Sequence, residues 1–335
     1  MSTHELVPVT EASQVSAARY AAQGMATTCG FSQDDVHRIG LVTTELASNL
    51  VKHTGVGGAI LLCPVCGDGG GVIDITSIDR GPGMADPGRA MTDGYSTAGS
   101  LGGGLGAVRR LSDETDFYTA PGKGTAIFVR IGRMAKALIP AAFLTAGVQV
   151  AARGERVSGD AWQVWADGSA LTLAIADGLG HGPDAARAAT VFLDVLEHGR
   201  ARAGADAMQD AHLALRPTRG AAAAIAAFDA ERAVIRFIGV GNIAMVVSEP
   251  GAARHAVSLG GTLGHEARSF REYTYPWQGR DTVAVMHSDG LASHWSLDTY
   301  PGLRARTPAV IAAVLYRDHT RGRDDTTVVV VKAAS

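Results

Sequence analysis

The chain has 335 residues, which is too long for one ordinary hydrophobic core and suits two domains. Hydrophobic residues make up 46% of it and charged residues 19%, and the 42 glycines indicate a globular protein with many tight loops. Its net charge of -3 provides no basic field for nucleic acid phosphates or anionic lipid, so neither nucleic acid nor a membrane is expected as a partner.

The start of the chain and its cysteines predict a cytoplasmic location. Residues 1–10 lack a basic stretch followed by an apolar one, and no uncharged apolar run approaches the roughly 18 residues of a membrane helix. Cys29, Cys63 and Cys66 are too few for a disulfide framework, so reduced thiols are expected. Cys63 and Cys66 form a C-x-x-C without a second pair or a nearby histidine, which favours buried thiols over redox or metal use.

The first part of the chain begins with helical patterns and continues with strands. Alanine-rich residues 11–29 predict one helix, and Ser32 is placed to cap a second that runs to Leu50. Two hairpins are predicted from strands at residues 59–65 with 72–79 and 114–119 with 125–131, and a short helix at 105–111. This order predicts two helices packed on a sheet.

Strand patterns dominate beyond a polar connection at residues 133–140. Helices are predicted at residues 185–202 and 307–319. Strands are predicted at residues 143–152, 161–166, 171–176, 221–229, 233–239, 244–248, 282–287 and 326–331. Many strands with a few long helices predict a layered α+β sandwich.

Four acidic positions in the second part lie at the edges of these strands: Asp160, Asp177, Asp289, and Asp324 with Asp325 beside it. Buried charge at a strand end is costly unless it is paired or bound to a cation, and basic neighbours are absent beside most of these positions. Oxygen ligands of this kind suit Mg²⁺ or Mn²⁺ rather than zinc. The alternative is that each Asp-Gly pair only forms a turn, but four such positions in order favour the metal site.

Two divalent cations held by these carboxylates would support phosphate hydrolysis. A water between them would have its pKa lowered enough to supply hydroxide near neutral pH, and the same cations would neutralise the phosphate and the leaving oxygen. No serine or cysteine nucleophile is then required.

The second part of the chain resembles the PPM-type metal-dependent protein phosphatases, and within them the bacterial SpoIIE and RsbX group. The resemblance implies that Asp177 bridges both metals, that Asp160 and the Gly178 carbonyl complete one site, and that Asp289 and Asp324 complete the other, with Asp325 the weaker candidate. It rests on Ser158-Gly159-Asp160, Asp177-Gly178-Leu179-Gly180-His181-Gly182, Ser288-Asp289-Gly290 and Asp324-Asp325-Thr326-Thr327.

Three further side chains are candidates for roles around this site. His181 is a candidate general acid, although a histidine that only fixes a glycine loop is the commoner case. Arg153 or Arg156 could bind the substrate phosphate through its guanidinium fork, and ordinary surface arginine is the alternative for both.

On the second predicted helix, Glu45 and Asn49 lie four residues apart and therefore share a face. On one face, the carboxylate can act as a base or orient a water, and the amide oxygen beside it can coordinate Mg²⁺. Asp79 then precedes Gly81 and Gly83, and a glycine run opens the 105–111 helix, whose free N–H groups can receive phosphate. That run fits a dinucleotide fingerprint only weakly, because no strand precedes it, and the chain has no Walker-type loop.

This ordered set resembles the ATP-binding domain of the histidine kinase, Hsp and gyrase superfamily, most closely the RsbT and RsbW serine kinases. The resemblance implies Asn49 on magnesium, Glu45 as catalytic base and Asp79 on the adenine amino group. The implied nucleotide-binding residues are Glu45, Asn49, Asp79, Gly81, Gly83, Gly102, Gly103, Gly104, Leu105, Gly106 and Thr125. A domain that only binds nucleotide or a partner protein is the alternative.

Together these resemblances imply an α+β protein of two domains. The first, at residues 1–132, is a Bergerat-type domain with helices on one face of a mixed sheet. A linker at 133–140 leads to the second, a PPM-type α-β-β-α sandwich at 141–335. The expected function is a signalling switch, in which a phosphoserine or phosphothreonine phosphatase with two Mn²⁺ or Mg²⁺ ions is joined to an ATP- and Mg²⁺-binding, serine-kinase module. The expected partner is a phosphorylated STAS-domain protein, an anti-sigma antagonist or stressosome component, with a downstream switch protein as a further one. In the alternative, the first domain senses ATP or binds a partner without catalysis.

Overall fold

A computed structural model describes residues 3–67, 70–84, 104–132, 142–199 and 204–334. The chain divides into two units. The N-terminal unit consists of Ser2–Ala137 together with Tyr300–Arg317, and the C-terminal unit consists of Leu138–Thr299 together with Asp318–Ser335. The linker expected at residues 133–140 lies outside the described residues.

The N-terminal unit contains one five-stranded sheet with helices on one face. The strands run in the order β1-β2-β3-β5-β4, and every described ladder is antiparallel, where a mixed sheet was expected. The elements are β1 (Glu5–Val9), α1 (Ala12–Thr28), α2 (Gln33–His53), β2 (Gly58–Gly67), β3 (Gly70–Asp79), α3 (Gly104–Arg110), β4 (Glu114–Thr119) and β5 (Thr125–Gly132). Both predicted hairpins are present, and only β1 was not predicted.

Helix α2 forms where its sequence predicts it. The Ser32 hydroxyl accepts a hydrogen bond from the Asp35 N–H at 3.2 Å, which satisfies one of the free donors of the first turn. Ile39 and Leu46 recur on one face and are fully buried against the sheet residues Ile60 and Ile75. The polar face of α2 remains available for other contacts.

The opposite face of this sheet is also buried, and Tyr300–Arg317, called here the 300–317 segment, contacts it. Phe128 and Tyr118 are 3% and 2% exposed although they point away from the helices. The ring of Tyr300 lies edge-on to Tyr118, with the centroids 6.1 Å apart. The segment includes most of helix α6 (Pro308–His319), so chain from far along the sequence completes this unit.

A disulfide joins the end of the first helix to the sheet, which corrects the expectation of reduced thiols. Cys29 follows α1 and is bonded to Cys66 in β2, 37 residues later, with Cα atoms 5.6 Å apart. Cys63 is buried and takes no part in this bond. The C-x-x-C spacing therefore carried no information about the pairing, because the partner of Cys66 comes from another element.

The C-terminal unit contains two antiparallel five-stranded sheets. Their orders are β13-β10-β9-β8-β7 and β12-β11-β14-β15-β6. The strands are β6 (Phe143–Val150), β7 (Asp160–Asp167), β8 (Ala170–Gly178), β9 (Ala221–Asp229), β10 (Val234–Val240), β11 (Ala244–Glu249), β12 (Ala252–His255), β13 (Tyr273–Pro276), β14 (Val283–His287) and β15 (Thr326–Ala333). The short strands β12 and β13 were not predicted.

One core separates the two sheets and another lies under helices. Phe228 and Phe237 of the first sheet pack with Met286 and Val329 of the second. On the other face of the first sheet, a second cluster packs residues of β8 and β9 against α4 (Pro183–His198) and α5 (Ala205–Leu215). Helices packed against antiparallel sheets in both units confirm the predicted α+β class.

No helix in the described ranges combines the length and apolarity needed to cross a membrane.

Replacing Asp116 by alanine tests the role of the 300–317 segment. The Asp116 carboxylate accepts hydrogen bonds from the Thr307 N–H at 2.7 Å and the Thr307 hydroxyl at 2.8 Å. Asp116→Ala is expected to lower the free energy of unfolding of this unit by about 1–3 kcal/mol, because these donors lose their acceptor. Hydrogen–deuterium exchange of the β4 and β5 amides should become faster.

The matched control lies on the same strand. Glu114→Ala removes only an exposed ion pair with Arg130, with a separation of 3.3 Å, and is expected to cost about 0–1 kcal/mol. Equal exchange rates in the two variants would contradict a stabilising role for the 300–317 segment.

Candidate functional site

The acidic positions singled out from the sequence lie at one end of the two sheets of the C-terminal unit. Asp160 begins β7 and Asp177 is the penultimate residue of β8, and these two strands are neighbours. Asp289 follows the end of β14, and Asp324 precedes β15, its neighbour in the second sheet. The fold therefore brings together residues that lie up to 164 positions apart in sequence.

Asp160 and Asp177 are directly opposed in the β7–β8 ladder. Side chains at opposed positions stand about 5 Å apart at their Cβ atoms, and like charges there are destabilising. The Ser288 hydroxyl donates to one Asp160 oxygen, Oδ2, at 2.7 Å, and itself accepts from the Thr327 N–H at 3.0 Å. This links the first sheet to the second beside the carboxylate pair.

Asp177, Asp289 and Asp324 line one open cavity of about 510 Å³. The Asn242 amide also lines it and donates to Asp289 Oδ2 at 2.7 Å, which fixes the orientation of that carboxylate. Asp160 is 2% exposed and lies behind this cavity rather than in its lining.

The adjacent residues Asp324 and Asp325 have different surroundings. Asp325 is buried, and its two oxygens accept from the Ala152 N–H at 2.8 Å and the Gly159 N–H at 2.9 Å. Asp324 faces the cavity. The Asp325 carboxylate therefore fixes the loop before β7, and Asp324 is the one of the two that can reach a ligand.

Burial and mutual repulsion make the ionised forms of Asp160 and Asp177 unfavourable. Burial raises the pKa of Asp177, and the nearby charges of Asp160 and Asp289 raise it further. Burial likewise raises the pKa of Asp160, whose Oδ1 is buried without a hydrogen-bond partner among the described residues. Such oxygens fit a hard divalent cation, which would supply the missing positive charge.

The side chains alone do not complete a cation site. Within the described residues, no group of three or more His, Cys, Asp or Glu side chains is arranged to hold a metal ion by itself. A cation would therefore need other donors, and a main-chain carbonyl or water is the usual supplement. Gly178 follows Asp177 where a Cβ would come within 2.0 Å of the Ala185 carbonyl oxygen, so only glycine allows the chain to pass so close to α4.

His181 lies at the cavity in a setting that favours the loop-fixing interpretation. It lines the cavity and its Nδ1 lies 2.7 Å from a Glu155 carboxylate oxygen. Arg153 and Arg156 are exposed and do not line the cavity, whereas Arg323 does. Sequence reasoning missed Arg323, although its position directly before Asp324 was a signal that could have found it.

The N-terminal unit holds the second set of predicted site residues. Glu45 and Asn49 are half-buried on the same face of α2, and neither side chain has a hydrogen-bond partner in the described part of the chain. Asp79, the last residue of β3, is 8% exposed, and its Oδ1 accepts from the Gly81 N–H at 2.8 Å and the Thr125 N–H at 3.2 Å. Its Oδ2 takes part in neither of these bonds.

Some of the glycines predicted for this site lie in the described part of the chain and others do not. Gly83 has φ +71°, and a Cβ there would lie 2.1 Å from the Ala120 carbonyl oxygen, so no other residue fits without movement. Gly104, Leu105 and Gly106 begin α3. Gly102 and Gly103, expected in the lid, lie outside the described residues.

Comparison with known families accounts for both halves of the chain. Residues 167–334 match the family model "Stage II sporulation protein E (SpoIIE)". The chain belongs to this family. Residues 7–131 match the family model "Histidine kinase-like ATPase domain". The chain therefore joins a kinase-like ATPase domain to a SpoIIE-type serine/threonine phosphatase domain, which confirms both resemblances seen in the sequence.

Relatives of each half are found separately. The chain is 39% identical over 111 residues to the serine/threonine-protein kinase RsbT of Bacillus subtilis (strain 168), covering 33% of this chain and 83% of RsbT. It is 25% identical over 144 residues to the phosphoserine phosphatase RsbX of the same organism, covering 43% of this chain and 72% of RsbX. A chain from the structural study "The bacterial stressosome: a modular system that has been adapted to control secondary messenger signaling" aligns with 57% of this chain and 99% of its own length, at a TM-score of 0.52 and 26% identity.

Asparagine substitutions at Asp324 and Asp325 should separate metal binding from folding. With Mn²⁺ at about a hundred times its Kd, bound metal should stabilise the wild type by about 3 kcal/mol. Asp324→Asn should lose this increment without a loss of stability in EDTA, because it removes one charge from a repelling cluster. Asp325→Asn should be less stable in both conditions, because the two backbone donors lose a charged acceptor.

Tryptophan fluorescence during thermal unfolding provides the measurement, since all four tryptophans lie in the C-terminal unit. The assignment fails if Asp324→Asn keeps the full Mn²⁺ increment while Asp325→Asn loses only that increment.

Proposed function

We propose that this SpoIIE family member is a two-activity switch protein. Its C-terminal unit removes phosphate from a serine or threonine of a STAS-domain protein, an anti-sigma antagonist or stressosome component, and its N-terminal unit binds ATP with Mg²⁺ and phosphorylates a serine. The convergence of Asp160, Asp177, Asp289 and Asp324 at one sheet end carries the proposal. The names of the relatives, RsbT and RsbX, support the two opposed activities.

The carboxylates are proposed to hold two Mg²⁺ or Mn²⁺ ions, with Asp177 between them. Asp160 and the Gly178 carbonyl would complete one site, and Asp289 with Asp324 the other. Bound cations would supply the charge that activates water and neutralises the phosphate. Asn242 holds Asp289 in orientation, and Ser288 does the same for Asp160.

Arg323 is proposed to contact the substrate phosphate. It is exposed in the cavity lining next to Asp324, and a guanidinium matches phosphate oxygens in a bidentate fashion. It replaces Arg153 and Arg156 in this role, because neither lines the cavity.

In the N-terminal unit, Asn49 is proposed to bind magnesium, Glu45 to act as base, and Asp79 to accept from the adenine amino group. Half-burial of Glu45 and Asn49 on one helix face supports this arrangement. Gly81, Gly83 and Thr125 would surround the base, and Gly104, Leu105 and Gly106 at the start of α3 would contact the phosphates. The expected lid role of Gly102 and Gly103 stays a prediction, because these residues lie outside the described ranges. A downstream switch protein as a further partner and the cytoplasmic location expected from the sequence stay predictions.

Asp177→Asn tests the phosphatase half. We expect hydrolysis of p-nitrophenyl phosphate with Mn²⁺ to fall by more than about a hundredfold, because the carboxylate shared by both cations is lost. Asp167→Asn is the matched control, since Asp167 is exposed at the far end of the neighbouring strand, β7, and should retain full activity. Wild-type activity in Asp177→Asn, or no Mn²⁺-dependent activity in the wild type, would rule out the proposed site.

Transfer of labelled phosphate from ATP tests the N-terminal half. A purified STAS-domain protein is incubated with γ-labelled ATP and Asp177→Asn protein, which cannot remove the label. We expect labelled serine, and its loss in the double variant Asp177→Asn, Glu45→Gln with ATP binding retained, because only the base is altered. Asn49→Ala in the same background should instead weaken Mg²⁺-dependent ATP binding.

A second function for this unit is favoured by the Glu45 side chain, which has no hydrogen-bond partner among the described residues that would orient it for proton transfer. If ATP binds but no label appears on serine, the N-terminal unit is a non-catalytic ATP-sensing or partner-binding module and the kinase proposal is wrong.

A further inference from the structure

Arg317 is a buried arginine beside the proposed adenine site. It is 4% exposed, and it lies near the end of α6 in the 300–317 segment of the N-terminal unit. Its Nη1 donates to the main-chain oxygen of Asp79 at 3.1 Å, and its own main-chain oxygen accepts from the Arg80 guanidinium. Burying a guanidinium is costly unless its donors are satisfied, so this contact with Asp79 is a specific feature of the fold.

The acceptor of this bond is Asp79, the residue proposed to accept from the adenine amino group. Asp79 ends β3 opposite Thr125 of β5, and its Oδ1 is fixed by the N–H groups of Gly81 and Thr125. The Asp79 main-chain oxygen is packed closely, since a Cβ on Gly124 would lie 2.1 Å from it. Holding this carbonyl therefore fixes the direction of the carboxylate, whose Oδ2 is outside the two backbone bonds.

The positive charge of Arg317 also favours the ionised form of the Asp79 carboxyl group. Burial raises the pKa of Asp79, while the bonds from Gly81 and Thr125 and the positive charge of Arg317 lower it. A carboxyl group must be ionised to be a pure acceptor for an amino group. The guanidinium thus favours the form of Asp79 that can accept a hydrogen bond from the exocyclic amine of adenine.

We propose that Arg317 is a positioning residue of the nucleotide site, which holds the end of β3 so that Asp79 selects an adenine base. The proposal rests on the proposed ATP site and adds to it a residue from outside the ATPase domain. The ATPase family match ends at residue 131, and Arg317 falls within the SpoIIE match at residues 167–334. The ligand class is an adenine nucleotide in preference to a guanine nucleotide, because guanine presents a carbonyl oxygen where adenine presents its amine.

The test uses the full-length protein and two fluorescent nucleotides, mant-ADP and mant-GDP, titrated in the presence of Mg²⁺. The wild type should prefer mant-ADP. Arg317→Met keeps the apolar stem but removes the donors, so its affinity for mant-ADP should fall about tenfold, the loss expected for one charge-assisted hydrogen bond, while that for mant-GDP changes little. Arg317→Lys should recover most of this loss, because it keeps the charge and a donor.

Arg306→Met is the matched control. Arg306 belongs to the same 300–317 segment, but its guanidinium contacts Asp116 at 3.4 Å rather than Asp79. It should leave the ratio of the two affinities unchanged even if it lowers stability. Circular dichroism establishes that each variant is folded, and Arg317→Gln, which keeps a donor without charge, replaces Arg317→Met should that variant fail to fold.

A reduced ADP preference in Arg317→Met with recovery in Arg317→Lys supports the proposal. Equal losses for both nucleotides would show a merely structural role and overturn it, as would wild-type affinities in Arg317→Met. If the wild type binds neither nucleotide, the proposed ATP site is wrong and this inference is wrong with it. If the wild type binds mant-ADP and Arg317→Met binds it equally well, only the inference about Arg317 is wrong.

Discussion

Two opposed carboxylates impose the main constraint on the C-terminal unit. Asp160 and Asp177 face each other across neighbouring strands, where Asp160 is buried and Asp177 is half-buried, so water screens their repulsion only in part. The surrounding contacts limit this cost but do not remove it, because Ser288 donates to Asp160 through one neutral hydroxyl and Asn242 donates to Asp289 through one neutral amide. A bound proton relieves this repulsion, as the raised pKa values of Asp160 and Asp177 indicate, and the proposed cations would relieve it with both carboxylates ionised.

Much of the fold could be predicted because its elements have strong local patterns. The strands Glu114–Thr119 and Ala221–Asp229 were predicted to the residue, since alternating or continuous apolar runs end there in clear turns. The four-residue edge strands Ala252–His255 and Tyr273–Pro276 are too short to show a period and form only because a neighbour offers a ladder. The Cys29–Cys66 bond was missed for a related reason, as pairing of distant elements leaves no local trace.

The site was predictable in its residue types but not in all of its assignments. The sequence placed Asp324 ahead of Asp325, and the structure gives a physical basis for a difference between them. Asp325 is saturated by two backbone N–H groups, whereas Asp324 faces the cavity. Spacing alone could not reveal those donors, because they come from Ala152 and Gly159, more than 160 positions away. For the same reason the sequence did not single out Arg323, because its place in the cavity lining depends on the conformation of the loop before β15.

The 300–317 segment shows that the boundaries of the family matches differ from the boundaries of the structural units. It lies inside the SpoIIE family match, yet its contacts place it in the N-terminal unit, where it covers the sheet face opposite the helices. A sheet face carrying Phe128 and Tyr118 would otherwise expose a large apolar surface to water. The two units therefore cannot be separated by a single cut between the two family matches. Arg317, which donates to Asp79, and Asp324, which lines the cavity of the C-terminal unit, are only seven positions apart in sequence, so one short stretch of chain contributes residues to both candidate sites.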